Sequence, residues 1–358
     1  MSINKDYFIS DPIDDTIQCM KFIPTKNTNY LATGGWDNKL RIFNINYNIS
    51  NNNQEAQISS NLEFGFQHNS PIFSISWEGN SGRIFTGCAD GSINVLDMRK
   101  KDLITIGNHK NSCKEVIYHQ DYNILLTGGW DGVVNIFDLR SSSPVCSYQF
   151  ENKVYTMSCA KDLFVVGLSE IKIGIFNLRK LQNKILNPEL IFKSHLNYQT
   201  RKIAVFPDGK GFVEGSIEGR VAVKNIKDLG NIPLINKDGT IMSNEDFSFK
   251  CHRIKDNNNN TFVYGINDIA FNPVYGTLCT VGSDGLYYIW DIPNKSKLFD
   301  RKETEDKTPL TACDYNSDGT LLAFASGYDW SRGAEAAKEY YSGAKIGIHY
   351  LPMTHRRK

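Results

Sequence analysis

Seven stretches of the chain can be stacked on one another, and this internal repeat limits the possible folds more than any other feature. Tyr30–Ile45 reads YLATGGWDNKLRIFNI, Arg83–Met98 reads RIFTGCADGSINVLDM, and Ile124–Leu139 reads ILLTGGWDGVVNIFDL. Leu163–Leu178 reads LFVVGLSEIKIGIFNL, Gly211–Ile226 reads GFVEGSIEGRVAVKNI, and Thr277–Ile292 reads TLCTVGSDGLYYIWDI. A seventh copy opens with LLAFASGYDW at Leu321 and resumes, after an insertion, with KIGIHY at Lys345–Tyr350. Each copy carries an apolar run, a Gly-containing centre, an acidic residue followed in most copies by Gly or Asn, and a second run with alternating apolar positions.

An Asp-Gly or Asp-Asn pair between two period-2 runs supplies the positive φ of a tight hairpin turn. The acidic turn positions are Asp37, Asp90, Asp131, Glu170, Glu218, Asp284 and Asp329. Their spacings of 53, 41, 39, 48, 66 and 45 residues scatter around the roughly 40–45 of a four-stranded blade, with the excess in insertions. A further apolar strand precedes each hairpin: Thr16–Phe22, Ile72–Trp77, Cys113–Tyr118, Val154–Cys159, Lys202–Phe206, Ile266–Phe271 and Leu310–Tyr315. A lone sheet of this kind cannot bury both faces, so the expected fold is all-β: a seven-bladed β-propeller, one domain over 1–358. The last repeat runs out of chain soon after Tyr350, and Tyr7–Ile9 is the expected strand that completes its blade. The Asn-rich stretches 44–62 and 255–260 and the linker 227–246 read as loops.

Charge is balanced, 40 Lys+Arg against 39 Asp+Glu, which argues against binding nucleic acid by bulk electrostatics. No apolar run reaches membrane-spanning length, and residues 1–15 lack a signal-peptide pattern. None of the eight cysteines lies two residues from another, and several sit in apolar runs, as free thiols of a cytosolic or nuclear protein do. No nucleophile with a base, no phosphate loop and no metal-ligand motif appears, so no catalytic residue, metal or cofactor is expected. His68 and His109 stand just before the first strands of the second and third repeats, where a structural His would bond toward a turn Asp.

Function should then lie on the loops at the strand ends. Trp36 and Trp130 immediately precede a turn acid, where other copies carry Ala89, Ser169, Ile217 and Ser283. Trp is the residue most enriched at binding hot spots; the plainer alternative is a ring folded over its blade. Arg220 follows the turn in SIEGR, and Arg201 in NYQTR stands at the start of the same blade. Two guanidiniums there could clamp carboxylates bidentately, unless each simply pairs with Glu218 or another turn acid. The implied ligand is an extended or hairpin-like peptide with acidic residues flanked by apolar ones. Phe249, Lys250 and Arg253 in SFKCHR, with Trp290 and Lys295 in the next hairpin, interleave aromatic with basic groups. They form a candidate nucleic-acid or second-partner surface, although Trp290 falls where Phe43, Phe137 and Phe176 pack in other copies. The basic tail His355–Lys358 reads as solvated.

Beyond the generic repeat, GSIEGRVAV (Gly215–Val223), FKCHR (Phe249–Arg253) and VGSDG (Val281–Gly285) resemble two sister WD-repeat families over essentially the whole chain. One is the messenger-RNA export factor of the nuclear pore (Rae/Gle type). The other is the mitotic-checkpoint protein (Bub type). The resemblance implies a non-enzymatic WD-repeat scaffold, a monomer within a complex, that grips a GLEBS-type peptide with Trp36, Trp130, Arg201 and Arg220. In the export family that segment comes from the Gly-Leu-Phe-Gly-repeat nucleoporin, with residence at the nuclear envelope and pore, in the nucleus and in the cytoplasm, and with any RNA contact weak or indirect. In the checkpoint family it comes from checkpoint kinases at kinetochores. DDTI (Asp14–Ile17), WDNKLR (Trp36–Arg41), LRSSSP (Leu139–Pro144), DFSF (Asp246–Phe249) and YDWSRG (Tyr328–Gly333) are similar to the export factor. KVYTM (Lys153–Met157), IFNLR (Ile175–Arg179) and YQTR (Tyr198–Arg201) are similar to the checkpoint protein. The insertion in the last repeat favours the export factor. The fourth repeat, which lacks Asp-Gly, and the linker 227–246 depart from both patterns.

Overall fold

A computed structural model describes residues 6–352 except 12, 50–54, 80, 142, 184–185, 227–228, 230–244, 302–306 and 341–342. The tail 355–358 and most of the linker 227–246 lie outside the described residues. Seven four-stranded sheets, one per repeat, make the chain an all-β, seven-bladed β-propeller. Tertiary contacts divide it into two compact units, Met1–Asn80 with Asn267–Lys358, and Ser81–Ile266.

In the first unit, blade 1 consists of Ile17–Phe22, Tyr30–Gly35, Lys39–Ile49 and Ala56–Gln67. The stretch 44–62, expected as a loop, instead lengthens the last two strands, pairing from Asn44 opposite Asn61 to Ile49 opposite Ala56, because its alternate residues Ile45, Tyr47 and Ile58 pack on the core. Blade 6 consists of Ile266–Phe271, Leu278–Gly282, Tyr287–Asp291 and Ser296–Asp300. Blade 7 consists of Leu310–Tyr315, Leu321–Ser326 and Lys345–Tyr350. Its fourth strand is Tyr7–Phe8, antiparallel to Lys345–Tyr350 with Tyr7 opposite Ile348, and the Ile9 N–H donates to the Ile346 carbonyl at 2.9 Å. Strand Ile72–Glu78 of blade 2 also belongs to this unit.

The second unit holds the other strands of blade 2, Arg83–Cys88, Ser92–Asp97 and Asp102–Asn108. Blade 3 is Cys113–His119, Ile124–Gly129, Val133–Asp138 and Cys146–Gln149. Blade 4 is Val154–Ala160, Leu163–Leu168, Lys172–Asn177 and Leu190–Lys193. Blade 5 is Thr200–Val205, Gly211–Ser216, Arg220–Asn225 and Phe247–Lys250, and a two-stranded hairpin, Arg253–Lys255 with Thr261–Val263, follows it.

Alternation in these strands sends one set of side chains to each neighbouring blade. Leu126, Val134 and Ile136 of blade 3 meet Met157, Phe164, Val166 and Phe176 of blade 4 in one buried cluster. Leu163, Val165, Ile173 and Ile175, from the other face of blade 4, meet Ile203, Val205 and Phe212 of blade 5. Each such side chain contributes about 1.5–3 kcal/mol of burial, so interior positions are committed to packing.

The turns form as the acids require. The Asp37, Asp90, Asp131 and Asp284 carboxylates each accept the N–H two residues on, at 3.0–3.2 Å. The next residue takes left-handed φ: Asn38 63°, Gly91 93°, Gly132 79° and Gly285 76°. Blade 4, without Asp-Gly, makes the turn with Glu170 and Ile171 both left-handed, at φ 59° and 55°. In blade 7 the left-handed place after Asp329 is taken by Trp330, φ 61°. All eight cysteines are free thiols. Among the described residues no helix is long and apolar enough to cross a membrane.

Candidate peptide-binding face

In each blade the second-to-third-strand turn and the loop leading into the first strand lie at the same end of the sheet, because the strands alternate in direction. In the second unit these ends join up from blade to blade. The Trp130 N–H donates to the Ser112 carbonyl, that of Ser169 to Lys153, and that of Ile217 to Gln199. Between blades, the Lys153 ammonium lies 5.9 Å from the Trp130 ring centre, a cation–π distance. Gln199 Nε2 donates to the Leu168 carbonyl at 2.9 Å. Trp130, Arg201 and Arg220 therefore share one end of this unit.

A local irregularity aims Arg201. Thr200 pairs with Ser216 and Lys202 with Gly215, so Arg201 is the extra residue of a β-bulge, a device that re-aims a side chain. Arg201 is exposed, and among the described residues no acid forms an ion pair with it. Arg220 opens the third strand with its side chain 32% accessible, and its Nε stands 3.7 Å from Glu218 Oε2. That long contact is the intramolecular pairing weighed from the sequence, and it leaves the guanidinium partly in solvent. Trp130 is half-buried under Lys153.

Sequence reasoning missed two neighbours. Tyr198, three residues before Arg201, is 56% exposed, and Ile217, at the turn position that Trp130 holds in blade 3, is 43% exposed. Large apolar groups beside exposed or half-exposed guanidiniums mark a recognition surface better than either alone. Tyr198 could have been found as a lone aromatic in the polar lead-in HLNYQTR.

Trp36 belongs to the first unit. Its ring is 42% exposed, packs edge-on against Phe73 at 5.4 Å, and donates Nε1 to Gln18 Oε1 at 3.3 Å. Gln18 is the bulge residue of blade 1. Thr16 links two aromatic segments of this unit, accepting the Trp36 N–H and donating its hydroxyl to the Tyr328 carbonyl at 3.0 Å. Trp330, 55% exposed, stacks obliquely on Tyr328, and the adjoining Asp329 accepts hydrogen bonds from Ser283 and Asn267. Trp330 was missed because its role as the left-handed turn residue is not visible in an Asp-Trp dipeptide.

The second candidate surface divides between the units. Phe249 and Lys250 lie on the fourth strand of blade 5, and Arg253 donates Nη2 to the Glu218 carbonyl at 3.1 Å. Trp290 lies within blade 6, its Nε1 donating to Thr280 Oγ1 at 3.1 Å, and Lys295 occupies the following turn at φ 51°. His109 does what a structural His should: Nδ1 contacts both Asp131 carboxylate oxygens at 3.1 Å and Nε2 contacts Thr127 Oγ1 at 2.9 Å. Burial lowers its pKa below the ordinary value, against the pull of Asp131. His68 is buried and donates its N–H to the Asn38 carbonyl, while Asp37 is held by Arg41 at 2.6 Å.

The WD domain, G-beta repeat family matches this chain at residues 10–44, 61–97 and 100–138. The chain is 33% identical to the mRNA export factor rae-1 of Caenorhabditis elegans over 358 residues, 97% of this chain and 88% of the relative. It is 31% identical to the mRNA export factor GLE2 of Chaetomium thermophilum, with 97% and 90% covered. To the mitotic checkpoint protein bub-3 of Caenorhabditis elegans it is 29% identical, with 88% and 85% covered. By its repeats and by this likeness along nearly its whole length, the chain belongs to the WD-repeat family of Rae1/Gle2-type mRNA export factors.

Proposed function

We propose that this chain is a non-enzymatic WD-repeat scaffold that supports mRNA export by gripping a GLEBS-type peptide of a Gly-Leu-Phe-Gly-repeat nucleoporin. The observation that carries the reading is the end of the second unit. There the bulge residue Arg201, exposed and without an acidic partner among the described residues, joins Arg220, Tyr198, Ile217 and the Lys153-capped Trp130. Two guanidiniums suit carboxylates, and the aromatic and aliphatic groups suit the apolar residues between them. The family resemblance also assigns Trp36, which lies in the first unit, to peptide contact. The protein acts as a monomer within its complex, at the nuclear pore and in the cytoplasm, with RNA contact, if made through Phe249, Lys250 and Arg253, secondary.

The test is charge reversal. Arg201→Glu with Arg220→Glu is expected to reduce capture of a GLEBS peptide at least a hundredfold, as loss of two charge-assisted contacts implies. Thermal stability should fall by no more than about 1 kcal/mol, since Arg201 is exposed and the Arg220 contact with Glu218 is long. Full peptide binding by the folded double variant refutes the assignment. A checkpoint scaffold is the second reading, favoured by the placement of Lys153, Tyr198 and Arg201 from KVYTM and YQTR on this same face. A tagged copy at the nuclear rim in interphase supports the export role; one confined to unattached kinetochores in mitosis supports the other.

A further inference from the structure

We infer that Glu214 is a positioning residue for this face: from inside blade 5 its carboxyl pins the loop that presents Tyr198 and Arg201. The inference rests on the peptide-grip reading above only for its consequence in binding; the pinning itself can be measured without ligand.

The second strands of the blades share a register, and the residue at the fourth position of each stacked repeat is buried. It is Thr33, Thr86, Thr127 and Thr280 in blades 1, 2, 3 and 6, and Glu214 in blade 5, with no exposed surface. Across the sheet, Thr33, Thr86 and Thr127 stand opposite Arg41, Asn94 and Asn135, whereas Glu214 stands opposite the small Ala222. A short neighbour gives the longer acid room. Its two oxygens reach the two ends of one loop: Ser194 Oγ donates to Oε1 at 2.6 Å, and Thr200 Oγ1 donates to Oε2 at 3.1 Å.

Between these anchors the chain has no regular structure. Leu196 is buried, and its N–H donates to the same Ser194 hydroxyl at 2.9 Å. Gln199 reaches back to blade 4 and accepts the Ile217 N–H of the blade 5 turn. Tyr198 projects to solvent from the middle of this span, and Arg201 follows directly on Thr200. One buried carboxyl thus fastens both ends of the segment that carries Tyr198 and leads directly into Arg201. Leaving two buried hydroxyls without their acceptor is disfavoured, so the loop and the acid order each other. Burial raises the carboxyl to about 7; Lys224, itself held by Asp246 at 3.3 Å, is the charged side chain bearing on it from the neighbouring strand.

Glu214→Leu keeps apolar volume and removes both acceptors; Glu214→Gln keeps an acceptor for Ser194 and a donor for Thr200. In native-state hydrogen exchange without ligand, Glu214→Leu should accelerate the Leu196 and Ile217 amides about tenfold, and Glu214→Gln less than about twofold. Titrated with a synthetic GLEBS peptide, Glu214→Leu should bind about tenfold more weakly, with affinity restored in Glu214→Gln. If Glu214→Leu does not fold, Thr200→Val removes the hydroxyl bond to Oε2 alone and should give about a threefold change in both readouts. Unchanged loop exchange in a folded variant overturns the pinning. Faster exchange with undiminished peptide affinity overturns the link to the grip. Absence of peptide capture by the unaltered chain refutes the grip reading, and the exchange result still decides the role of Glu214.

Discussion

Blades 3 and 5 stand in the same compact unit and use the same sheet positions, yet they fill them with opposite proton chemistry. In blade 3 a buried histidine bridges Thr127 inside the sheet and Asp131 at the turn. In blade 5 Ser194 holds the lead-in position and Glu214 the interior one, so the interior bond goes to the loop and not to the turn. The turn acid Asp131 is consumed by His109 and by the N–H groups of Lys110 and Val133. The turn acid Glu218 stays near Arg220, and Arg253 binds its carbonyl. One network stiffens a turn that carries an indole; the other stiffens a loop that carries a phenol and a guanidinium. Similar backbones thus rigidify different segments, and the choice follows from which partner the interior side chain can reach.

The strongest way to break this comparison is to delete the two lead-in residues in turn. His109→Ala leaves Asp131 and Thr127 without a shared partner and should cost about 2–4 kcal/mol in urea unfolding. Ser194→Ala removes one hydroxyl and should cost about 1 kcal/mol; equal losses would mean that the two networks carry the same load.

Dependence on pH sharpens it next. His109 is depressed below its ordinary 6.5 by burial, so its contribution is present above about pH 6.5 and is lost as pH falls. Glu214 is raised to about 7 from an ordinary 4.5, so its contribution is full below about pH 4.5 and is lost as pH rises through 7. Glu214→Gln should therefore gain stability over the unaltered chain between pH 5 and 8.5, by roughly 3 kcal/mol at most. A difference that shrinks with rising pH contradicts the assignment. The smallest effect lies between these blades, in the turn of blade 4. Ile171 is β-branched and left-handed, so Ile171→Gly should raise stability by roughly 0.5–1 kcal/mol, read as a small increase in Tm.

Much of this was legible beforehand. Asp131-Gly132 and Asp90-Gly91 announced turns that form where they were expected, because an Asx side chain and a glycine act within a few residues of chain. Trp130 and Arg220 could be placed at strand ends for the same reason. The position of Arg201 was legible, but its bulge was not, since a bulge exists only against a paired strand. Ile217 was read as filling a tryptophan position and not as an exposed apolar contact. Glu214 was in view as an acid inside the apolar run FVEGS, in a row of threonines, and the mismatch was a usable signal.

The sequence by itself determined the seven repeats, the hairpins and the residues at their tips, since period, turn chemistry and strand propensity are local and recur with each copy. Tertiary structure alone decided which polar groups are closed in and which face solvent. His109, Glu214 and Arg201 each occupy a position that the repeat defines, but their roles depend on groups 14–22 residues away or on the absence of one. Desolvation and hydrogen-bond satisfaction are settled between such distant segments, and no local pattern encodes them.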